Sequence, residues 1–300
     1  MNPARNEDRA VLRHSQDCAI AVERYSAVMV LVYGDESMDE TQERVCAAAA
    51  IVGTEDQWST LESRWLERTG GIPFHANDCD SDKGVYVDTT HKNNKALYKD
   101  VTILLADSGL WGFGSSIDLR AQKRVFDLMP MHQTYYTVFT HVLEAMRNYA
   151  EVHDDMAEIT FDSRVESEYN AALVYANLRE ERPEWKERLA SKLSFESSAD
   201  NPRIQAADLF AREAMKDLDN VIGPVKRKIR GAWKTLRDTN RFHVVSYSHD
   251  WFNELERDMT NIIHSAGFSK SDYSDWLKTH KREHNVTAYI EFFPWHQSSK

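Results

Sequence analysis

The 300-residue chain has the composition of a globular protein, with 42% hydrophobic and 28% charged residues. This balance excludes a disordered chain, because it provides enough apolar surface to bury a core. The formal net charge of −11 disfavours non-specific binding to nucleic acid, although a local basic patch can still contact phosphates. There is no long apolar run, no apolar core of a signal peptide and an odd cysteine count of 3. We therefore expect a soluble cytoplasmic protein with neither a disulfide framework nor a membrane span.

The first predicted elements along the chain are two strands and a helix. Residues 1–24 are polar and form an N-terminal arm, and an apolar run over 27–33 then predicts a buried strand that ends at a turn. A second apolar run over 45–52 lies close enough in sequence to pair with the first as a hairpin. Thr54 and Gln57 have the spacing of a capping box, which predicts a helix from there to about residue 68.

Helices and strands alternate through the rest of the chain, which predicts an α/β protein with a mixed sheet flanked by helices. Asn201 and Pro202 are a favoured pair for the start of a helix, because asparagine caps it and proline fits its first position. The other predicted elements, in order, are a long loop over 70–92, a helix over 94–108, a strand over 110–119, a helix over 134–150, a strand over 158–162, helices to about 189, a strand over 192–195, a basic helix over 226–241 and a strand over 242–247.

Three acidic residues occupy positions that suit a metal site. Asp35 directly follows the most apolar predicted strand and has Glu36 beside it, while Asp162 ends another apolar strand. Asp208 lies about two turns into the helix that starts at Asn201, among apolar neighbours where an unpaired carboxylate is costly. Carboxylates are the ligands that Mg²⁺ prefers, and paired metals of this kind act in phosphoryl transfer. Turn or capping roles for the first two acids, and an arginine partner for Asp208, remain open alternatives.

Two motifs in the chain resemble those of a bacterial family called "domain of unknown function 3800". They are Tyr-Gly-Asp-Glu-Ser at 33–37 and Ile-Gln-Ala-Ala-Asp-Leu at 204–209, with an acidic strand end between them. The resemblance covers roughly residues 28–217, and it implies a ribonuclease H-like fold with Asp35, Asp162 and Asp208 as the shared acids. It also implies a connection with mobile elements or phage defence. Met38 follows the first motif where family members usually have glycine.

The acidic loop over 74–84 begins like a calcium-binding loop but does not match one. Its glycine is at the seventh position instead of the sixth, and Thr89 stands where the bidentate glutamate should be. Members of the resembled family often have a histidine motif here, which implies that His75 or Asp78 is a fourth metal ligand or a proton carrier. A solvated acidic loop is the alternative.

The predicted basic helix has one apolar face and a neighbouring cationic stripe. The stripe consists of Lys226, Arg230, Lys234 and Arg237, with Trp233 near it. Such a stripe can follow a phosphate backbone, and an aromatic ring can stack on a base. An ordinary solvated amphipathic helix is the alternative.

The leading hypothesis is a nuclease that uses Mg²⁺ or Mn²⁺ to hydrolyse phosphodiesters in DNA or RNA. Asp35, Asp162 and Asp208 would bind metal, Glu36 or Asp78 would complete the set, and His75 would assist proton transfer. The alternatives are a non-catalytic ribonuclease H-like binding module or complex subunit, and a phosphohydrolase of small esters. The predicted layout is an arm over 1–24, a ribonuclease H-like catalytic domain over 25–222, and an extension over 223–300 packed on that domain. A homo-oligomer or a partner protein remains open.

Overall fold

The computed structural model describes residues 29–125, 131–163 and 168–265. The predicted N-terminal arm, and the part of the predicted extension beyond residue 265, lie outside these ranges. Within them, no helix is both long and apolar enough to cross a membrane.

The described residues form one mixed sheet of six strands, in the order β5-β4-β1-β2-β3-β6. From β1 to β3 the chain runs as an antiparallel meander, whereas β4 is parallel to β1, β5 to β4, and β6 to β3. The strands are β1 (Met29–Met38), β2 (Val45–Gly53), β3 (Trp111–Asp118), β4 (Met156–Asp162), β5 (Leu189–Glu196) and β6 (Phe242–Tyr247).

Helices cover both faces of this sheet, which confirms the predicted α/β class with a mixed sheet flanked by helices. The helices are α1 (Glu55–Thr69), α2 (Ala76–Ser81), α3 (His91–Asp107), α4 (Leu119–Val125), α5 (Met131–His153), α6 (Glu168–Glu181), α7 (Pro183–Arg188), α8 (Pro202–Ile222), α9 (Gly231–Arg237) and α10 (His249–Ser265). Helix α8 crosses β1, β2 and β3 on one face, and α5 packs against β2, β3 and β4 on the other.

Strand β2 lies at the centre of the sheet and is buried along its whole length. Its residues alternate between two cores: Cys46, Ala48 and Ala50 pack on the α5 side, and Ala49 and Ile51 on the α8 side. The small alanine side chains allow the helices on both faces to approach the sheet closely.

The predicted hairpin between the first two strands is confirmed, but β1 is longer than its apolar run. Pairing with β2 continues through Asp35 opposite Ala49 and Glu36 opposite Ala48, to Met38. The prediction of a turn directly after Tyr33 was therefore wrong. The strand continues through its acidic residues because β2 supplies backbone partners at every one of these positions.

Local capping signals correctly located two helix starts. The Thr54 side chain accepts a hydrogen bond from the Gln57 backbone N–H at 3.4 Å, and Gln57 Oε1 accepts one from the Thr54 N–H at 2.9 Å. At the start of α8, the Asn201 side chain accepts from the Arg203 N–H at 2.9 Å. Each cap satisfies a backbone donor that the first helical turn leaves free.

Two predictions outside the sheet were wrong. The segment predicted as a loop over 70–92 contains the short helix α2 and a 3-10 turn at Gly84–Tyr86. The basic helix predicted over 226–241 is helical only over Gly231–Arg237, and the chain before it is irregular. Val225 and Ile229, which were expected on its apolar face, are 65% and 54% exposed. The apolar periodicity before Gly231 therefore does not correspond to a buried helix face.

Candidate active site

Asp35 and Asp162 lie beside each other on adjacent parallel strands. The pairing of β1 with β4 runs to Gly34 opposite Phe161, so these two acids follow at the next position of each strand. A side chain at Gly34 would collide with the Phe161 ring, which explains the glycine before Asp35. Leu31 packs in the core on the α8 side, and side chains two and four residues apart on a strand share a face. Asp35, four residues after Leu31, therefore faces α8. Asp162 faces the same way, because it occupies the neighbouring position on the adjacent parallel strand.

Helix α8 places Asp208 over the same face of the sheet. Asp208 is only 5% exposed, and its Oδ2 accepts a hydrogen bond from the Ala76 backbone N–H at 2.8 Å. The structure thus brings Asp35, Asp162 and Asp208, from β1, β4 and α8, to one region, and their role as metal ligands stays a prediction. The N–H at the start of α2 gives Asp208 a protein partner that the sequence did not indicate.

Gln205, in the same motif, fixes the surroundings of Asp208. Its Oε1 accepts from the Trp65 indole N–H at 3.0 Å and from the Phe74 backbone N–H at 3.1 Å. Its Nε2 donates to the Ser198 carbonyl at 2.8 Å. These bonds connect α8 to α1, to the segment before α2 and to the chain after β5. We conclude that Gln205 holds the scaffold of the site together.

The electrostatics of this region are those of crowded carboxylates. Burial is the largest effect on Asp35 and raises its pKa well above the usual aspartate range, and the charges of Asp208, Glu36 and Asp162 raise it further. Burial also raises the pKa of Asp208, although His75, the Ala76 N–H and Arg212 act to lower it. Like charges in a low-dielectric region disfavour ionisation, so a bound cation would relieve a real electrostatic cost.

The donor chemistry suits a hard divalent cation, but the ligands are not arranged as a complete site. Among the described residues, no group of three or more His, Cys, Asp or Glu side chains has the geometry to hold a metal ion. Protein hydrogen bonds hold each of the three acids. Asp162 Oδ1 accepts from the Ser198 N–H at 2.8 Å, Asp208 accepts from Ala76, and Asp35 accepts from the backbone N–H of the next residue. Three carboxylates, with Asp35 buried among like charges, nevertheless fit Mg²⁺ or Mn²⁺ by ligand type.

Glu36 lies on the other side of the sheet from Asp35, because neighbouring residues of a strand face opposite ways. Burial chiefly raises the pKa of Tyr135 on α5, and the charge of Glu36 contributes to that rise. The Glu36 backbone N–H donates to Asp35 Oδ1 at 2.7 Å. The role of Glu36 as a metal ligand stays a prediction, since the backbone directs its side chain towards α5.

The start of α2 brings a histidine to the carboxylates. His75 Nε2 is 3.9 Å from Asp208 Oδ2, its Nδ1 is 3.2 Å from Asp78 Oδ2, and its side chain is 53% exposed. Gly84 has a positive φ of 56°, and a Cβ there would lie 2.7 Å from Asp78 Oδ2. The glycine that resembled part of a calcium loop thus makes room for Asp78. The structure places His75 beside Asp208 and Asp78 beside His75, and their roles as ligand or proton carrier stay predictions.

Glu196, which ends β5, was not among the acids predicted from the sequence. It lies opposite Asp162 in the parallel β4–β5 pair, so acidic residues occupy neighbouring positions on the adjacent strands β1, β4 and β5. The rule that identified Asp162, an acid at the end of an apolar strand, could have identified Glu196 too. The predicted strand ended one residue earlier, at 195.

A second charged cluster, also missed, lies one turn further along α8. Arg212 donates to Asp80 Oδ2 at 2.8 Å, and Arg230 donates to Asp80 Oδ1 at 3.1 Å. Arg230 also donates to both oxygens of Glu213, at 3.0 and 3.1 Å, and the Tyr98 hydroxyl donates to Glu213 at 2.6 Å. We call Asp80, Arg212, Glu213 and Arg230 the arginine–acid cluster. It joins α2, α8 and the segment before α9.

The residues predicted to form a basic stripe do not form one surface. Arg230 belongs to the arginine–acid cluster, and Trp233 is only 5% exposed and donates its side-chain hydrogen bond to Asp217. Lys234 and Arg237 both pair with Asp238. Lys226 precedes α9, in the irregular segment. Base stacking by Trp233 was expected from an exposed position beside the stripe, but Trp233 lies on the buried side of α9 and packs into the core beside Phe210.

Comparisons with known proteins give little beyond this geometry. No protein-family model and no curated protein matches the chain. Among solved structures, RNase HII of the PCNA:RNase HII complex from Archaeoglobus fulgidus is 12% identical, with a TM-score of 0.38 over 81% of this chain and 92% of that one. Bst-RNase HIII in complex with Mn²⁺ is 12% identical, with a TM-score of 0.40 over 72% of this chain and 61% of that one.

Both TM-scores are low, so the strand order and directions of this chain carry the fold assignment themselves. The resemblance to the family of unknown function stays a prediction. What the described residues provide is an α/β fold with a mixed sheet, in which acids from β1, β4 and α8 converge.

Proposed function

We propose that this chain is a nuclease that requires Mg²⁺ or Mn²⁺ and hydrolyses phosphodiester bonds in DNA or RNA. One observation carries the proposal: Asp35 is buried beside Asp162 and Asp208, and their charges raise its pKa. A strongly perturbed acid in a polar site is a functional candidate, because proteins otherwise avoid or compensate such an arrangement.

In this proposal Asp35, Asp162 and Asp208 hold the cation, and Asp78 completes the set of ligands. When bound, the cation would stabilise negative charge on the phosphate oxygens during hydrolysis. His75 would carry a proton, because its ring lies beside Asp208 and half of its side chain is open to solvent. The connection with mobile elements or phage defence comes from the family resemblance alone and stays a prediction.

A non-catalytic binding module is the second candidate, and specific contacts favour it. Asp208 and Asp162 each accept a backbone N–H, and the described residues contain no group arranged to hold a metal. In that case Asp162 would stabilise the end of β4, Asp208 would hold the start of α2 against α8, and neither would act on a substrate.

Cleavage assays separate the two candidates. Labelled single- and double-stranded DNA and RNA are incubated with the full chain in Mn²⁺, in Mg²⁺ and in chelator. We expect metal-dependent cleavage by the wild type and none by Asp208→Asn, since the amide removes the charge and retains the shape of the side chain. Asp217→Asn is the matched control, because Asp217 is on the same helix and its partner is Trp233.

Equal behaviour of the wild type and Asp208→Asn on every substrate would contradict the nuclease proposal. Metal binding without cleavage, tested additionally with a small phosphate ester, would indicate either a phosphohydrolase or a non-catalytic module. Cleavage lost in Asp217→Asn as well would show that the assay reports folding, and not the chemistry of the site.

A further inference from the structure

A cleft of about 380 Å³ lies between α3 and α9, apart from the candidate active site. Lys95 and Lys99, one turn apart on α3, line one wall of the cleft, and Arg230 and Thr235 line the other. Both lysines are exposed. Residues four apart lie on the same side of a helix, so the side chains of both lysines lie along the same wall of the cleft.

The charges around this cleft do not cancel. Arg230 contributes little net charge, because the arginine–acid cluster contains two arginines and two acids. In the part of the chain that the structure describes, neither Lys95 nor Lys99 is within ion-pair distance of a carboxylate. Hydrogen bonds from Asn94 and His91 chiefly lower the pKa of Asp82, and the charge of Lys95 contributes to that shift without an ion pair. The two lysines thus give the cleft a positive edge on a protein whose net charge is −11. This combination selects an anionic ligand.

The cleft offers no platform for a base. Tyr98 is the aromatic residue in its lining, but it is only 6% exposed, and the Arg230 guanidinium covers its ring at 5.6 Å. A free nucleotide would leave its base without a stacking partner there. Lysines together with the Thr235 hydroxyl suit a phosphate group, which they bind without regard to sequence.

Helix α2 connects the cleft to the candidate active site. At its start the Ala76 N–H binds Asp208 and His75 lies beside that acid, whereas near its end Asp80 reaches Arg230 in the cleft wall. A helix of six residues spans about 9 Å, which is within the reach of a few nucleotides of one strand.

We propose that this cleft binds a backbone phosphate of the polynucleotide strand that the active site cuts, a few nucleotides from the scissile bond. The inference rests on the proposed function, because its ligand is the substrate of that site. Lys95 and Lys99 bind the phosphate of the strand. The arginine–acid cluster holds the cleft in a fixed position relative to α2.

The test is oligonucleotide binding in chelator, where cleavage cannot occur. The anisotropy of labelled oligothymidylate and oligouridylate is titrated with the full chain at several salt concentrations. For Lys95→Gln/Lys99→Gln we expect affinity about tenfold weaker at physiological salt, and a salt slope smaller by about 1.4, since each lost single-strand phosphate contact removes about 0.7. The charge reversal Lys95→Glu/Lys99→Glu should weaken binding further.

The matched control is Arg120→Gln/Lys123→Gln. These two cations are exposed on α4, and the double variant removes the same charge from a helix that does not line the cleft. It should leave affinity and slope unchanged. Equal losses in both double variants would overturn the proposal in favour of a general effect of charge. Saturable binding of inorganic phosphate or adenosine monophosphate that only the α3 variant loses, with oligonucleotide affinity unchanged, would overturn it in favour of a small-ligand site.

Asp208→Asn separates the failure of this inference from the failure of the proposed function. It should bind oligonucleotide as the wild type does while it lacks cleavage. If the wild type cleaves and the lysine variant binds as tightly as the wild type, the phosphate-binding role of the cleft is contradicted and the nuclease proposal is not. If the wild type does not cleave but its binding depends on the two lysines, the nuclease proposal is contradicted and phosphate binding by the cleft is supported.

Discussion

Helix α8 contributes one buried acid, Asp208 or Glu213, to each of two groups of acids, and the protein compensates the two groups differently. Around Asp208, carboxylates from β1 and β4 collect and raise the pKa of Asp35. One turn later, Glu213 is equally buried, but Arg230 donates to both of its oxygens.

The shifts in pKa have opposite signs in the two groups. Burial acts to raise the pKa of Asp80 in the arginine–acid cluster, but Arg230 and Arg212 outweigh it and lower the pKa below the usual value. For Asp35 burial acts in the same direction, and the neighbouring charges add to it. The arginines balance the charges of the acids in the arginine–acid cluster, so a structural role is enough to account for that cluster. The uncompensated one calls for a cation from outside, which is the physical basis for regarding it as the active site.

The largest expected effect comes from breaking the compensated group. Glu213→Gln should lower the free energy of unfolding by about 3 kcal/mol, because it leaves the Arg230 charge without its main partner at a largely buried position. Arg230 is 25% exposed and keeps Asp80, which places the loss at the low end for buried pairs. Denaturant unfolding followed by circular dichroism measures it.

Glu67→Gln is the control for this change, since Glu67 is exposed on α1 and the same substitution there should alter stability by less than about 0.5 kcal/mol. If both variants lose little, the arginine–acid cluster does not stabilise the fold and the contrast between the two groups fails.

The next effect is that of metal on the uncompensated group. Mn²⁺ at about 100 times its dissociation constant should stabilise the wild type by about 2.7 kcal/mol, because the cation binds only the folded arrangement of acids. Thermal unfolding with increasing Mn²⁺, reversed by chelator, measures the effect.

Asp35→Asn should lose most of this response, whereas Asp80→Asn should keep it, since Asp80 already has two arginine partners. If Mn²⁺ stabilises both variants equally, it binds elsewhere. The proposal that the carboxylates of β1, β4 and α8 form a metal site would then be contradicted.

The two groups were also unequally predictable from sequence. Asp35 and Asp162 could be identified because short apolar runs define strands, and parallel pairing brings the ends of two strands together. Asp208 could be identified because a carboxylate is unusual within an apolar helix face. These are local signals, as are the caps at Thr54 and Asn201, and each needs only neighbouring residues to be recognised.

The arginine–acid cluster has no such signal. Asp80 and Arg230 are 150 residues apart in sequence and meet only in the tertiary structure. Periodicity alone therefore placed Arg230 and Trp233 on an exposed stripe, while long-range pairing and packing place one in an ion cluster and the other in the core. Partners that are distant in sequence also explain why α2, held by Asp208 and Arg212, was expected to be a loop.

The smallest expected effect tests whether the pKa shifts of Asp35 and Asp80 change stability in opposite directions. Metal-free Asp35→Asn should be more stable than the wild type by about 1 kcal/mol at neutral pH, because the amide removes a charge that burial and three carboxylates disfavour. The folded state holds the Asp35 proton to a higher pH than the unfolded state does. Stability of the wild type therefore falls as pH rises from the ordinary aspartate value through the raised pKa, and the advantage of the variant disappears below that window.

Asp80→Asn should show the opposite dependence. The pKa of Asp80 is lowered in the folded protein, so its ionised form stabilises the fold above the ordinary aspartate value, and that contribution is lost as pH falls through the lowered pKa. At neutral pH this variant should be less stable than the wild type, and the two should converge in acid. Unfolding midpoints of the three proteins in chelator, from neutral pH to about pH 3, measure both differences. Curves that deviate from the wild type in the same direction would show that Asp35 is compensated after all, and would remove the main argument for a cation between β1, β4 and α8.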